Sequence, residues 1–244
     1  MQFIFEHRLD DGVVESRFTL DEIPGVLWMP GSPSEPVPLI LLGHPGGLDT
    51  MYPRLAERAR TTAAYGFAAA MIELPGSGDR PRWPDIDQAR ADLQRAMAAG
   101  EPVDEIVERL VLPLVEKAVP EWQTALDALL ALPDIGGPAA YSGGVISIGV
   151  RLAVTEPRIA AAGFFAGSFI PDVTFDEARR ITIPLHILLQ WDDEGNQRQR
   201  ALELFDAFES KEKTLYANMG GHTGVPPFAG EDAARFFARH LRPR

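Results

Sequence analysis

The sequence predicts an α/β protein built on a mostly parallel sheet with helices on both faces. Three observations support this fold class. Short apolar runs alternate with segments of helical periodicity, which is typical of strand–helix–strand units. The apolar runs are unbroken, as expected for strands that are buried on both faces. The chain has 244 residues, a length that suits one α/β domain spanning residues 1–244.

The strands are predicted from these runs and from the turn residues between them. Alternating segments in the first thirty residues predict an antiparallel hairpin at one edge of the sheet. The remaining strands are predicted, in chain order, at residues 38–43, 67–74, 138–141, 159–165, 183–190 and 214–217.

The helices are predicted from apolar residues spaced three and four apart, at residues 52–65, 121–132, 145–154, 200–208 and 231–241. One segment does not fit the alternation of strands and helices. Residues 85–118 predict two further helices, which are separated at 100–102, and Pro113 should interrupt the second of them. We predict that residues 82–119 form a small helical cap inserted over the carboxyl edge of the sheet. Ordinary packing of these helices on a sheet face is the alternative.

Composition excludes several classes of function. The 23 Lys and Arg against 35 Asp and Glu give a net charge of −12, which argues against binding to nucleic acid or anionic lipid. The absence of cysteine excludes a cysteine nucleophile and thiolate metal sites. No apolar run approaches the roughly 20 residues that a membrane span needs, and the first residues lack the features of a signal peptide. We therefore expect a cytoplasmic protein that binds neither membrane nor nucleic acid.

Two polar residues that could carry chemistry follow the last predicted strands. Asp193 comes after the strand at 183–190, and His222 lies in a glycine-rich loop after the strand at 214–217. Open α/β sheets bind ligands at the carboxyl ends of their strands, so we expect these side chains to meet. An acid there would hold the imidazole in one tautomer. Asp192 is the reserve candidate, and a solvated turn that caps the next helix is the alternative for this acidic segment.

The position of a nucleophile is ambiguous. A nucleophilic serine at a strand-to-helix turn needs small residues two positions before and after it. Ser142 has alanine and glycine there, and the seventeen residues from it to the strand at 159–165 leave room for a helix. Ser147 leaves only twelve residues and is the reserve candidate. Two other interpretations stay open. In one of them the frame is centred on Val145, which cannot attack a substrate. In the other, Ser142 is simply a serine of a turn.

A Gly-His-Pro-Gly-Gly segment at 43–47 follows the first parallel strand. Gly46 or Gly47 can bring a backbone N–H close to a developing oxyanion, because glycine has no side chain in the way. Gly143, directly after Ser142, would be a second donor. We hold His44 as a reserve site residue. A phosphate-binding loop is excluded because neither of its sequence patterns follows.

Together these segments resemble the α/β-hydrolase superfamily, in particular its dienelactone-hydrolase-like and small bacterial esterase branch. The resemblance rests on GHPGG, ELPGSGDR, AYSGG, TEPRI, LLQWDDE and GGHTGVP and covers residues 38–240. The order serine, aspartate, histidine is also that of the superfamily's catalytic triad. Relatives read close to Gly-Tyr-Trp-Gly-x-Ser-x-Gly at the nucleophile. Aligning on Tyr141 and Gly143 puts Val145 at the serine's place, whereas helix length puts Ser142 there.

The resemblance implies a serine hydrolase that cleaves a carboxylic ester, thioester or lactone through an acyl-enzyme. Ser142 would attack, His222 would move the proton and Asp193 would orient His222. Such triads need no metal and no cofactor, so we expect neither. The expected partner is a small ester-like substrate, and a homodimer stays open.

The alternative is an α/β-hydrolase-fold protein that has lost the serine, with Val145 at its place. Such a protein would act as a non-hydrolytic cyclase or isomerase, or as a binding protein. A purely structural domain is a third hypothesis, which leaves Asp193 and His222 unexplained.

Overall fold

A nine-stranded sheet forms the centre of the molecule, as seen in a computed structural model that describes residues 1–167, 169–194 and 197–242. The strands are β1 (Gln2–Arg8), β2 (Val14–Leu20), β3 (Ile23–Met29), β4 (Val37–Gly43), β5 (Ala68–Ile72), β6 (Ile135–Gly143), β7 (Ile159–Phe165), β8 (Leu185–Gln190) and β9 (Lys213–Asn218). Their order across the sheet is β1-β2-β3-β5-β4-β6-β7-β8-β9.

The sheet is antiparallel at one edge and parallel elsewhere. β1, β2, β3 and β5 pair antiparallel in that sequence, and every pair from β5 to β9 is parallel. The predicted mostly parallel sheet with an antiparallel N-terminal edge is therefore confirmed, although the edge contains three strands and not a two-stranded hairpin.

Helices cover both faces of this sheet. Those in the described ranges are α1 (Leu48–Ala64), α2 (Pro84–Ala99), α3 (Asp104–Leu130), α4 (Ile146–Thr155), α5 (Asp172–Ala178), α6 (Arg198–Ala207) and α7 (Phe228–Leu241). None of them is long and apolar enough to cross a membrane.

Two apolar cores lie on opposite faces of the sheet. Alternate residues of a strand point to opposite faces, so Leu39 and Leu41 of β4 enter one core while Ile40 and Leu42 enter the other. α3, α4 and α6 pack in the first core, and α1 and α7 pack in the second. Burial on both sides explains why β4 reads as an unbroken apolar run.

The segment after β5 differs from the prediction in its helix boundaries. α3 is one helix of 27 residues that contains both Pro113 and Pro120, where we expected an interruption at Pro113. Each proline removes a backbone donor, but buried side chains such as Val111 and Trp122 lie on both sides of Pro113 and pack in the same core. This burial holds the helix together across the prolines. That residues 82–119 act as a cap stays a prediction.

Candidate active site

The loop that contains Asp193 and the loop that contains His222 extend the pairing of β8 and β9 beyond the end of the sheet. Gln190 and Asn218 are the last register partners of these parallel strands. After them the Trp191 N–H donates to the Asn218 carbonyl at 2.6 Å, and the Asp192 N–H donates to the Gly220 carbonyl at 3.3 Å. The two loops therefore leave the carboxyl edge side by side, as the sequence predicted for polar residues that follow neighbouring strands.

Asp193 and His222 meet at this edge. His222 Nδ1 lies 2.7 Å from Asp193 Oδ2. The Asp193 side chain is completely buried, whereas 60% of the His222 side chain is exposed. The Phe165 ring at the end of β7 contacts the imidazole edge to face, with centroids 5.4 Å apart. Nδ1 is thus fixed by the carboxylate, and among the described residues Nε2 has no hydrogen bond, which leaves it available to exchange a proton with a substrate or water.

Ser142 lies apart from this pair in its hydrogen bonding. β6 continues two residues past its predicted end, so Ser142 is inside the strand, where it pairs with Leu42 and Gly163. Its side chain is on the α1 and α7 face, where Arg58 Nη2 donates to Ser142 Oγ at 2.8 Å. Among the described residues this is the hydroxyl's one hydrogen bond. The structure brings Asp193 and His222 together and gives Ser142 a different partner.

The chain turns from β6 into α4 after Ser142. Gly143 and Gly144 have φ angles of 92° and 73°, in the left-handed region that favours glycine. Val145 follows as the N-cap of α4, with extended backbone (φ −71°, ψ 112°) and no side-chain capping bond. The strand-to-helix turn of this sheet therefore presents two glycines and a valine.

Of the reserve candidates, Ser147 is hydrogen-bonded to another side chain and Asp192 is exposed. Ser147 is buried in α4 and its Oγ accepts a hydrogen bond from Thr174 Oγ1 at 3.1 Å. Asp192 is exposed beside the buried Asp193. The catalytic roles of Ser142, Asp193 and His222, and of the reserve residues, stay predictions.

His44 holds the glycine loop after β4 to the end of β5. It is buried, and its ring nitrogens lie 2.7 Å from the Gly46 carbonyl oxygen and 2.9 Å from the Ile72 carbonyl oxygen. Burial lowers the pKa of His44, against the two carbonyl contacts that raise it, and the nearby Arg58 charge lowers it further. His44 therefore shapes the loop that contains the predicted oxyanion donors Gly46 and Gly47.

Glu73 is a site residue that the sequence analysis did not single out. It follows β5, is buried, and both of its carboxylate oxygens lie 3.1 Å from the Leu48 N–H at the start of α1. Burial raises the pKa of Glu73, against the Leu48 contact, which lowers it. The available signal was an acid near the end of the apolar run that predicted the strand at 67–74. The first helical N–H beyond Gly47 is thus already bonded.

Arg58 is the second residue that the sequence analysis missed. It extends from α1 to the end of β6, and in the described part of the chain it forms no ion pair with a carboxylate. Burial lowers the pKa of the Arg58 guanidinium, the nearby Tyr141 raises it and the Arg54 charge lowers it further. No local pattern marks this arginine, because its partner lies 84 residues away along the chain.

The described residues offer no group of three or more His, Asp or Glu side chains that could hold a metal ion.

The chain was compared with known proteins. No family model and no curated protein matches it. Among solved structures, the chain is 25% identical to a cold-adapted esterase from an Arctic intertidal metagenomic library, with a TM-score of 0.77 over 99% of this chain and 100% of that chain. A dienelactone hydrolase from Anabaena variabilis is 15% identical, with a TM-score of 0.62 over 99% and 100%. An acetyl xylan esterase from Paenibacillus sp. R4 is 13% identical, with a TM-score of 0.62 over 98% and 88%.

These similarities agree with the topology described above. The protein has the α/β-hydrolase fold, and its resemblance to dienelactone-hydrolase-like esterases is confirmed. The structures that are less than 25% identical support the fold alone. The esterase at 25% identity, which matches over essentially the whole of both chains, supports a hydrolase.

Proposed function

We propose that this protein hydrolyses a small ester-like substrate, a carboxylic ester, thioester or lactone, with His222 as the general base and Asp193 as the residue that orients it. The observation that carries the proposal is the 2.7 Å contact between His222 Nδ1 and the buried Asp193 carboxylate at the carboxyl edge of the sheet. The contact favours the tautomer whose proton is on Nδ1, so that Nε2 can accept a proton. Similarity to an esterase of the same fold supports the reaction class.

We propose that the nucleophile is water. The Nε2 atom of His222 would take a proton as the water oxygen bonds to the substrate carbonyl carbon, and the imidazolium would then return that proton to the leaving oxygen or sulfur as its bond to carbon breaks. Two observations support this route over an acyl-enzyme. Ser142 Oγ is hydrogen-bonded to Arg58 on the α1 face, and Val145 lies at the strand-to-helix turn.

The developing oxyanion would be held by backbone N–H groups at the same edge. α4 begins at the turn with no side-chain cap and no acidic residue in its first turn, so its positive end is not neutralised. Gly143 precedes this end, and Gly46 and Gly47 lie in the loop after β4. These three glycines stay our proposed donors.

The test measures the hydrolysis of p-nitrophenyl acetate, and of an alkyl ester in a pH-stat, by wild type and by the variants His222→Gln, His7→Gln and Ser142→Ala. His222→Gln should lower kcat roughly 10²- to 10⁴-fold, the usual contribution of a general base. The matched control His7→Gln changes an exposed histidine of β1 and should keep the wild-type rate. Wild-type activity that survives His222→Gln would refute the proposal.

Ser142→Ala separates the water route from the acyl-enzyme route. We expect a kcat within about threefold of wild type, because a residue that does not touch the substrate contributes little to the barrier, and no labelling of the wild type by a fluorophosphonate probe. Loss of activity in Ser142→Ala together with probe labelling at Ser142 would establish the serine route instead.

A non-hydrolytic cyclase, isomerase or binding role is the alternative, and similarity to an esterase of the same fold does not favour it. It predicts that the purified protein turns over none of a panel of esters, thioesters and lactones.

A further inference from the structure

Gln190 lies between the sheet and the loop that contains His222. It ends β8, is 1% exposed, and its Nε2 donates to the Gly221 carbonyl at 3.0 Å. We call residues 219–224 the histidine loop. The Gln190 side chain therefore connects the end of a buried strand to the residue that directly precedes His222.

The Gly221 carbonyl is fixed from two directions. Besides Gln190 Nε2 it accepts the Gly224 N–H at 2.8 Å, which closes the histidine loop on itself. The peptide group is planar, so a fixed Gly221 carbonyl also fixes the nitrogen and the Cα of His222. The Gln190 bond thus constrains the point from which the imidazole extends toward Asp193.

The histidine loop packs directly on the Gln190 amide. A Cβ added to Gly220 would lie 2.8 Å from Gln190 Nε2 and 2.6 Å from the Gly224 carbonyl oxygen, so no larger residue fits without movement. The Gln190 amide therefore contacts the loop backbone at Gly221, which accepts its hydrogen bond, and at the neighbouring Gly220.

This bond leaves two other polar atoms without partners. Gln190 Oε1 and Asn218 Nδ2 are buried and make no hydrogen bond within the described residues, although one is an acceptor and the other a donor. Gln190 and Asn218 are register partners on adjacent parallel strands, so their side chains lie on the same face. Buried polar groups are nearly always hydrogen-bonded, and an exception requires an explanation. Here the Gln190 amide bonds the histidine loop, and the complementary bond to Asn218 is not made.

We propose that Gln190 is a positioning residue for His222, which acts by holding the Gly221 carbonyl. The proposal rests on the proposed function for its kinetic consequence, but its structural consequence can be measured in a protein of any activity.

The experiment compares Gln190→Met with wild type by proton NMR and by ester hydrolysis. Methionine has nearly the same length and cannot donate to Gly221. In wild type, the His222 Nδ1 proton that lies against Asp193 should give a downfield resonance protected from exchange. In Gln190→Met we expect this resonance to broaden or vanish, and kcat to fall roughly 10- to 100-fold with KM within about twofold, because a misplacement of about 1 Å can cost this much. The melting temperature should not fall, because the substitution also removes a buried unpaired carbonyl.

Two variants serve as controls. Gln2→Met makes the same change at an exposed position of β1 and should change neither resonance nor rate. Asn218→Leu removes the unpaired donor without touching the bond to Gly221, and should keep both readouts at wild-type values.

Three outcomes would overturn the proposal. They are a wild-type resonance and rate in Gln190→Met, a loss of rate that only follows a loss of folded protein, and an equal loss of resonance in Asn218→Leu. Failure of the proposed function looks different, since the wild type would then lack ester hydrolysis while the resonance still responded to Gln190→Met.

Discussion

Replacing Asp193 by asparagine tests the electrostatic role of the acid beside His222. During the reaction the imidazole becomes positively charged 2.7 Å from the Asp193 carboxylate. Two unit charges at this distance attract by about 6 kcal/mol at an effective dielectric constant near 20. Since 60% of the His222 side chain is exposed, solvent screens the pair, and we discount the gain to roughly half, about 3 kcal/mol. At about 1.4 kcal/mol per tenfold change in rate, Asp193→Asn should lower kcat about 10²-fold.

The substitution also acts on the tautomer. An asparagine amide can turn an N–H toward Nδ1, which would move the imidazole proton to Nε2 and leave no base there. We expect the rate of p-nitrophenyl acetate hydrolysis to fall at every pH between 6 and 9, with KM little changed. Circular dichroism should confirm that the folded fraction equals that of wild type.

Asp192→Asn is the matched variant, because it removes the neighbouring charge, which is exposed. We expect it to keep the wild-type rate within about twofold, since a solvated charge contributes little. The reasoning is refuted if Asp193→Asn keeps kcat within threefold of wild type. A large loss in Asp192→Asn alone would instead move the role of the acid to the reserve candidate.

Three further predictions concern the turn, the start of α1 and the core. Val145→Ser places a hydroxyl at the strand-to-helix turn, and we expect a fluorophosphonate probe to label position 145 of this variant but not of the wild type. Mass spectrometry of the labelled peptide measures this difference. Because the pKa of Glu73 is raised, the fold binds a proton more tightly than the unfolded chain, and stability falls as pH rises from about 4.5 through the raised pKa. Glu73→Gln should therefore gain melting temperature over wild type at pH 8 and not at pH 4, and an equal difference at both pH values contradicts this. Leu126→Ala empties a fully buried position in α3 and should cost about 2–5 kcal/mol in urea unfolding, with kcat per folded molecule unchanged.

The sheet and the acid–histidine contact could be predicted because each depends on local signals. Strands buried on both faces need unbroken apolar runs, and β4, β7 and β8 lie close to where those runs are. Asp193 and His222 follow β8 and β9, and parallel strands end at the same edge, so their meeting required only the correct strand order.

Tertiary packing decided the features that were not predicted. The local rule that proline disrupts a helix interior predicts an interruption at Pro113, yet the buried residues on both sides of it keep α3 continuous. Arg58 meets Ser142 only because α1 packs on the face of the sheet that carries the Ser142 side chain, and no pattern along the chain indicates this contact. Glu73 is near its partner only because β5 lies next to β4.

The preference for Ser142 over Ser147 rested on the number of residues left for a helix before β7. This helix was predicted at residues 145–154, and α4 has the same length of ten residues and begins one residue later, at Ile146. β6 also continues through Ser142 and Gly143, because Leu42 and Gly43 of β4 pair with them. Strand length here depends on a neighbour about 100 positions earlier in the chain, which a local window cannot include.

The conformation of the turn explains why several frames fit the same stretch of sequence. A nucleophile elbow holds a serine in strained backbone so that its oxygen is exposed, and the strain is maintained by the surrounding fold. In this protein the left-handed positions are Gly143 and Gly144, where glycine adopts such angles without strain, and Val145 is extended. The small residues around Ser142 and Val145 are therefore a consequence of a relaxed turn and do not mark a particular serine. Beside a relaxed turn of two glycines and a valine, the His222–Asp193 pair is the group that is arranged for proton transfer, and on this we base our proposal that water is the nucleophile.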